Sequence, residues 1–286
     1  MPANKLAYPH LCALVAISPT TLSYAMHSAG FNHIKIPFYY SALDTNDTQA
    51  AINAMKGIGI RGYSLTIPHK ERAISQVDKL TDEALKIGAI NTIINDGQSL
   101  LGANTDWVGI QEALKEKISD LRNKNALILG AGGAARACIY ALRHLGVGNI
   151  VVCNRSNARS EEVAKLVAVV GIDFDELKKQ TLAEIDLIIN ATPIGSHLVP
   201  SNDFPFSFEQ IMEKHIVFDM VTRDTALILE AQRRGAVAIH GLRMLLYQAI
   251  AQFELFTGCS APIKVMENAL YEEAQKTGLI SFGIKN

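Results

Sequence analysis

The sequence lacks any apolar run of the roughly eighteen residues that a membrane-crossing helix needs, so no bilayer span is expected. Cysteine is scarce, and Cys12, Cys138, Cys153 and Cys259 stand far apart in apolar segments. Without a CxxC pair or a Cys/His ligand spacing, neither a disulfide framework nor a metal site is expected, and the four residues read as buried free thiols. An excess of charge is also missing. The formal net charge of −1 provides no basic field for nucleic acid and no acidic field for cationic partners. Internal repeats, low-complexity tracts and Pro/Ser-rich linkers are absent, which argues against solenoids and tethered modules. The N-terminal MPANKLAYPHLCALVAIS contains an apolar run, but it carries Pro and His and lacks a strong basic start. It reads as leading into a first buried strand rather than as a secretory signal, and the default address is cytoplasmic.

What is present is an alternation of short β-branched or apolar runs with amphipathic stretches over 286 residues, 49% of them hydrophobic. This is the pattern of an α/β protein with largely parallel sheets. In the first hundred residues, strands are expected at LCALVA, IKIPFYYSAL and GYSLTI. Helices are expected at Leu22–Gly30, ended by the glycine, at DTQAAINAMKGIG, and around 70–88. INTIIND and SLLGAN read as a pair joined by an Asp-Gly turn. From Asp106 onward βα units follow in regular succession, and two long helices finish the chain. The expected division falls at the helix that starts after Asp106.

Gly130-Ala131-Gly132-Gly133-Ala134-Ala135 lies between the apolar strand ALIL and a helix. In that setting the first glycine permits a tight turn, the second lets backbone amides approach a pyrophosphate, and Ala135 lets helix and strand pack closely. The helix N-terminus adds unsatisfied N–H groups and a positive dipole end for phosphates. Some twenty residues on, where an NAD-binding fold places a carboxylate for the ribose 2′-hydroxyl, the chain has Asn154-Arg155-Ser156-Asn157-Ala158-Arg159. A guanidinium can bind a 2′-phosphate through a bidentate fork, whereas a carboxylate would repel it, so the loop favours NADP.

Three segments of the first half carry polar groups suited to chemistry: GYSLTIPHK at 62–70, IGAINTI at 87–93 and GANTDWVG at 102–109. Taken singly, Lys70 could be a surface lysine at a helix start and Asp106 a helix cap. A hydride-transfer enzyme also needs a group that moves the alcohol proton, and a lysine near a carboxylate can fill that role.

In combination, TIPHK, GAINT, NTDWVG, GAGGAARA, NRSNAR, NATPIG, FDMV and GLRMLLYQA resemble the shikimate dehydrogenase family, in the family's order and over nearly the whole chain. The resemblance implies a substrate-binding and catalytic domain of residues 1–106 and 241–286. It also implies a Rossmann-type, doubly wound NADP domain of residues 107–240, with the C-terminal helices returning to the first domain. It implies reversible NADP-dependent interconversion of 3-dehydroshikimate and shikimate in aromatic amino-acid biosynthesis, by a monomer or homodimer. Lys70 and Asp106 match the catalytic pair, with Lys70 as the proton-transfer group and Asp106 holding the reacting hydroxyl. Thr21, Ser23, Thr66, Asn91, Asp106, Thr222 and Gln248 match substrate positions, Thr21 and Ser23 corresponding to the family's Ser-x-Ser pair that meets the substrate carboxylate. Cofactor positions match Asp82, Gly130, Ala131, Gly132, Gly133, Ala134, Asn154, Arg155, Ser156, Arg159, Asn190, Thr192, Met220, Gly241 and Met244. The chain departs from the family pattern where Thr21 replaces a serine, Ser64 an asparagine, Thr222 a tyrosine in a shortened loop, and Arg243 a small residue. These departures leave a paralogue acting on quinate or another cyclic hydroxy acid as a second reading. A ligand-binding or regulatory relative without turnover is a third.

Overall fold

The computed structural model describes residues 9–167 and 169–281. In chain order, the first part contains β1 (His10–Ala16), α1 (Leu22–His33), β2 (Phe38–Asp44), α2 (Thr48–Ile58), β3 (Gly62–Leu65), α3 (His69–Arg72), β4 (Lys79–Leu80), α4 (Asp82–Ile87), β5 (Thr92–Asn95) and β6 (Leu100–Ala103). There follow α5 (Asp106–Lys115), β7 (Asn125–Leu129), α6 (Gly133–His144), β8 (Asn149–Asn154), α7 (Asn157–Val167), β9 (Val170–Asp173) and α8 (Phe174–Leu177). The last elements are β10 (Leu187–Asn190), β11 (Ile216–Asp219), α9 (Ala226–Arg233), β12 (Val237–His240), α10 (Gly241–Thr257) and α11 (Ile263–Lys276). Among the described residues, 9–106 and 246–278 form one compact unit, while 107–245 and 279–281 form another. No helix is long and apolar enough to cross a membrane among the described residues.

The first unit is built on a six-stranded sheet in the order β2-β1-β3-β5-β6-β4. β1 pairs in parallel with β2 and β3, and β4 with β6; β5 alone runs antiparallel to its neighbours β3 and β6, so the sheet is largely parallel, as expected, with one reversed strand. The Asp96-Gly97 turn causes the reversal: Asp96 Oδ1 accepts from the N–H groups of Gln98 and Ser99, and Gly97 adopts φ +90. α2 starts as its sequence suggests, with the Asp47 carboxylate accepting from the Ala50 N–H at 2.9 Å. α1 does not stop at Gly30. A Cβ there would sit 2.7 Å from the Phe253 ring, so the glycine provides room for α10 and the helix continues to His33. Tyr63, Ile52, Met55 and Ile93, all fully buried, lie in the core of this unit.

The second unit carries an all-parallel sheet in the order β12-β11-β10-β7-β8-β9. Read from its other edge, this is the strand order of a Rossmann fold, with the reversal between β7 and β10. Ligands of such sheets bind at the carboxyl ends of the strands beside that reversal. In this sheet those ends are Leu129, Asn154, Asn190 and Asp219. β4, β9 and α8 have only two to four residues each, too short for a period to show in the sequence. Of the four free thiols, Cys12, Cys138 and Cys153 are buried and Cys259 is half-buried.

Two buried side chains tie the loops after β10 and β11 together. Asp219 Oδ1 accepts from Asn190 Nδ2 at 2.9 Å and from the Val221 N–H at 3.0 Å, and Oδ2 accepts from the Thr225 hydroxyl at 2.6 Å. Asn190 Oδ1 in turn accepts from both the backbone and the hydroxyl of Thr192. Burial pushes the Asp219 carboxyl from 3.8 up to about 6, despite these donors. Between those two values the native protein keeps a proton that the unfolded chain has already lost. Asp219 favours folding most below its unfolded value, and this contribution is lost as pH rises through about 6. In thermal melts, the stability of the wild type relative to Asp219→Asn is expected to decline between about pH 4 and about pH 7. A difference independent of pH would contradict the assignment.

Candidate active site

In the first unit, the sheet register brings the three polar segments of the sequence to one place. The Asn91 carbonyl accepts from the Leu65 N–H at 2.7 Å, and the Asn91 N–H donates to Ala103 O at 3.1 Å. The Lys70 carbonyl accepts from the Ile90 N–H at 2.9 Å, which ties α3 to the segment before β5. His69 holds the same short helix from its other side: one ring nitrogen lies 2.8 Å from the Thr48 hydroxyl and the other 2.9 Å from Thr45 O. Asn104 donates to Ala89 O and accepts from the Asp106 N–H, fixing where α5 begins.

On this frame the Lys70 ammonium donates to Asp106 Oδ2 at 2.6 Å. Their side chains are 16% and 4% exposed, so the pair is largely out of water. Asp106 stands in the first turn of α5, where the helix dipole favours a negative charge. Its other oxygen accepts from Asn91 Nδ2 at 2.9 Å. The Thr105 hydroxyl, at 2.9 Å, and Gln248 Oε1, at 3.2 Å, share the other proton of the same amide nitrogen, while Asn91 Oδ1 accepts from the Thr105 N–H and the Thr92 hydroxyl. Lys70, Asp106, Asn91 and Gln248, expected from the sequence, thus form one hydrogen-bonded cluster, to which the structure adds Thr92 and Thr105.

Other expected substrate positions are occupied differently. Thr66 is half-buried, its N–H bonded to Val15 O and its carbonyl accepting from the His69 N–H. Ser23 is buried beside the Tyr40 hydroxyl. Thr21 donates to the Glu273 carboxylate, and that bond holds the Glu273 carboxyl below its ordinary value. While the bond stands, the Thr21 proton is not directed at a ligand carboxylate. Ser64 accepts from Tyr40 and donates to Gln252, fully inside the protein. Asp82 is exposed in the first turn of α4.

In the second unit, Gly130 follows β7 with φ +109, and a Cβ would meet Ala191 O at 3.0 Å. Only glycine combines that turn with that approach. Gly132 precedes α6 in an extended conformation, so the N–H groups of Gly133, Ala134 and Ala135 open the helix, with Ala135 fully buried against the sheet. At the end of β8, Asn154 donates to Ser156 O, and Arg155, Ser156 and Arg159 are exposed. A backbone cradle at a helix N-terminus, with guanidinium groups at the next strand end, fits a phosphorylated dinucleotide. Asn190 and Thr192 are locked into the Asp219 network, and Met220 is half-buried with its N–H on Asn190 O. Gly241 packs so closely that a Cβ would lie 2.5 Å from the carbonyls of Met220 and Val221. Met244 is buried, and Thr222 is half-buried in the bend after β11. Arg243 forms a two-pronged ion pair with Glu116. Among the described residues no His, Cys, Asp and Glu cluster is arranged to hold a metal ion.

Sequence reasoning did not single out Tyr40, Gln252, Asp219 or Thr225. Two of them left a signal: Asp219 is a carboxylate closing an apolar strand, and Gln252 lies one turn beyond Gln248 on an otherwise apolar helix face.

A family model described as the shikimate dehydrogenase substrate binding domain matches residues 17–93. One described as shikimate / quinate 5-dehydrogenase matches residues 112–233, and one described as the shikimate 5'-dehydrogenase C-terminal domain matches residues 241–271. The shikimate dehydrogenase (NADP(+)) of Methanopyrus kandleri is 37% identical, over 88% of this chain and 91% of its own. The crystal structure of the Thermus thermophilus shikimate 5-dehydrogenase in complex with NADP(H) and shikimate is 30% identical with a TM-score of 0.80, covering 93% of this chain and 99% of that one. The quinate dehydrogenase from Corynebacterium glutamicum in complex with NAD has a TM-score of 0.83 at 26% identity, covering 92% of this chain and 99% of the other. With this similarity spread over both units, the chain belongs to the shikimate dehydrogenase family.

Proposed function

We propose that the protein interconverts shikimate and 3-dehydroshikimate with NADP(H), using Lys70 to move the proton of the reacting hydroxyl. The observation that carries this reading is the buried Lys70–Asp106 bond of 2.6 Å, embedded in the Asn91–Gln248 cluster. NADP+ supplies the hydride acceptor for oxidation. In the reduction direction the Lys70 ammonium gives a proton to the carbonyl oxygen as hydride reaches the carbonyl carbon, and in the oxidation direction the amine so formed takes that proton back from the hydroxyl as the C–H bond breaks. Asp106 retains lone pairs beyond those used by Lys70 and Asn91, and with them holds the substrate hydroxyl against Lys70. Asn91, Gln248 and Thr66 provide amide and hydroxyl groups for the remaining hydroxyls of a polyhydroxylated ring. Ser23 is the hydroxyl for the substrate carboxylate, and Thr21 joins it only when its bond to Glu273 is given up.

On the cofactor side, the loop of Gly130 to Ala134 receives the pyrophosphate at the start of α6. Asn154, Arg155, Ser156 and Arg159 surround the 2′-phosphate, Arg155 being exposed and ready to offer its fork. Asn190, Thr192, Met220, Gly241 and Met244 line the nicotinamide end, and Asp82 is a further cofactor contact. The pairing of Arg243 with Glu116 leaves its charge balanced within the protein. The altered bend at Thr222 keeps quinate as the second substrate reading, since one hydrogen bond gained or lost at a ring substituent can change discrimination by orders of magnitude.

Lys70→Ala is expected to lower kcat by about 100- to 10,000-fold while the Kd for NADP+ stays within a factor of about two. A near-wild-type kcat would exclude Lys70 as the proton-transfer group. Arg155→Ala is expected to weaken NADP+ by about 10- to 100-fold, the worth of a charge-assisted bond, with little change for NAD+. Equal losses for the two cofactors, measured by titration, would refute the 2′-phosphate assignment.

A further inference from the structure

A run of buried hydrogen bonds leads from β2 to the ion pair, and every donor in it points the same way. The Tyr40 hydroxyl donates to Ser64 Oγ at 2.7 Å, and Ser64 donates to Gln252 Oε1 at 2.8 Å. Gln252 Nε2 donates to Thr92 Oγ1 at 3.0 Å, and Thr92 donates to Asn91 Oδ1 at 2.8 Å. Asn91 Nδ2 then donates to Asp106 Oδ1. The sheet sets up the central step: Ser64 and Thr92 are directly opposed across the β3–β5 pair, and the Gln252 amide from α10 spans both hydroxyls. A second bond, from Gln252 Nε2 to Asn91 O at 3.1 Å, fixes which end of that amide faces which strand. Tyr40, at the head, is held by a parallel ring stack on buried His27 with centroids 4.4 Å apart. Burial raises the Tyr40 phenol above its ordinary value and pushes the His27 imidazole down to about 3, so the phenol remains a donor and the stacked ring remains neutral.

Each link removes a freedom from the next. A hydroxyl that already accepts from one neighbour directs its own proton elsewhere, so Gln252 turns the Thr92 proton toward Asn91 Oδ1. An oxygen that receives both this proton and the Thr105 N–H cannot rotate toward Asp106 without leaving two donors unpaired. The Asn91 amide is thereby kept with its N–H on the carboxylate.

We propose that Tyr40, Ser64 and Gln252 are positioning residues, which hold the Asn91 amide through Thr92 and so hold Asp106 in the geometry that receives Lys70 and the substrate hydroxyl. This inference rests on the reading that Lys70 and Asp106 serve proton transfer, and it explains what a serine does at a position where the family pattern has asparagine. None of the three residues is required to touch substrate or cofactor, so their effect belongs in kcat and not in cofactor affinity.

The test is a cycle of Tyr40→Phe, Gln252→Met and the double variant, with Lys70→Ala assayed alongside. Tyr40→Phe keeps the ring and its stack on His27, which protects the experiment should Gln252→Met fold poorly. Tyr40→Phe should lower kcat about threefold and Gln252→Met about tenfold, with KM for NADP+ unchanged. The double variant should match Gln252→Met alone, because the run is already broken at Gln252. Wild-type kcat in folded Tyr40→Phe and Gln252→Met overturns the inference, as do losses that multiply in the double variant or a loss confined to cofactor KM. If Lys70→Ala is disabled while both positioning variants turn over normally, only this inference falls. If Lys70→Ala itself turns over normally, the proton-transfer reading falls and this inference with it.

Discussion

A charged pair held out of water constrains the rest of the first unit. Removing a carboxylate and an ammonium from solvent costs several kcal/mol for each ion, and their attraction offsets this only when the remaining lone pairs and protons also find partners. Lys70 and Asp106 come from segments 36 residues apart in sequence. Their contact requires β3, β5 and β6 to lie side by side, with α3 and α5 starting at fixed points. The backbone bonds from Leu65, Ile90, Asn91 and Ala103 supply that alignment, and Asn104 and His69 pin the two helix starts. An apolar core in the same sheet, with Tyr63, Ile90 and Ile93 fully buried, makes the arrangement rigid.

The second unit solves a different problem, that of presenting backbone donors and positive charge without burying either. Its all-parallel sheet aligns the strand ends, a left-handed glycine turns the chain from β7 into α6, and exposed arginines follow β8. The buried carboxyl there, Asp219, is used structurally. It gathers the loops after β10 and β11 through three donors.

Much of this was legible in the sequence because polar residues at the ends of apolar runs are conspicuous. Gly130 to Ala135 and Arg155 stand at such junctions, whereas Lys70, Asn91 and Asp106 were singled out by the resemblance to the family, since taken singly each has an ordinary structural explanation. The short elements β4, β9 and α8, of two to four residues, were not expected from the sequence. The antiparallel hairpin was visible in its Asp-Gly turn, and β5 is the one strand it reverses in an otherwise parallel sheet. Helix α1 outran its expected glycine stop because Gly30 serves a packing contact with Phe253, which lies far away in sequence. The same limit applies to side-chain partners. That Thr21 would meet Glu273, Arg243 would meet Glu116 and Ser64 would bridge Tyr40 to Gln252 depends on tertiary neighbours that no local pattern encodes.

The central claim is that this polar cluster and this arginine loop together select shikimate and NADP. Its most direct test is a matrix of kcat/KM values for shikimate and quinate, each with NADP+ and with NAD+. Shikimate with NADP+ is expected to exceed every other combination by about tenfold or more. A quinate preference of that size, or equal use of NAD+, would contradict the account.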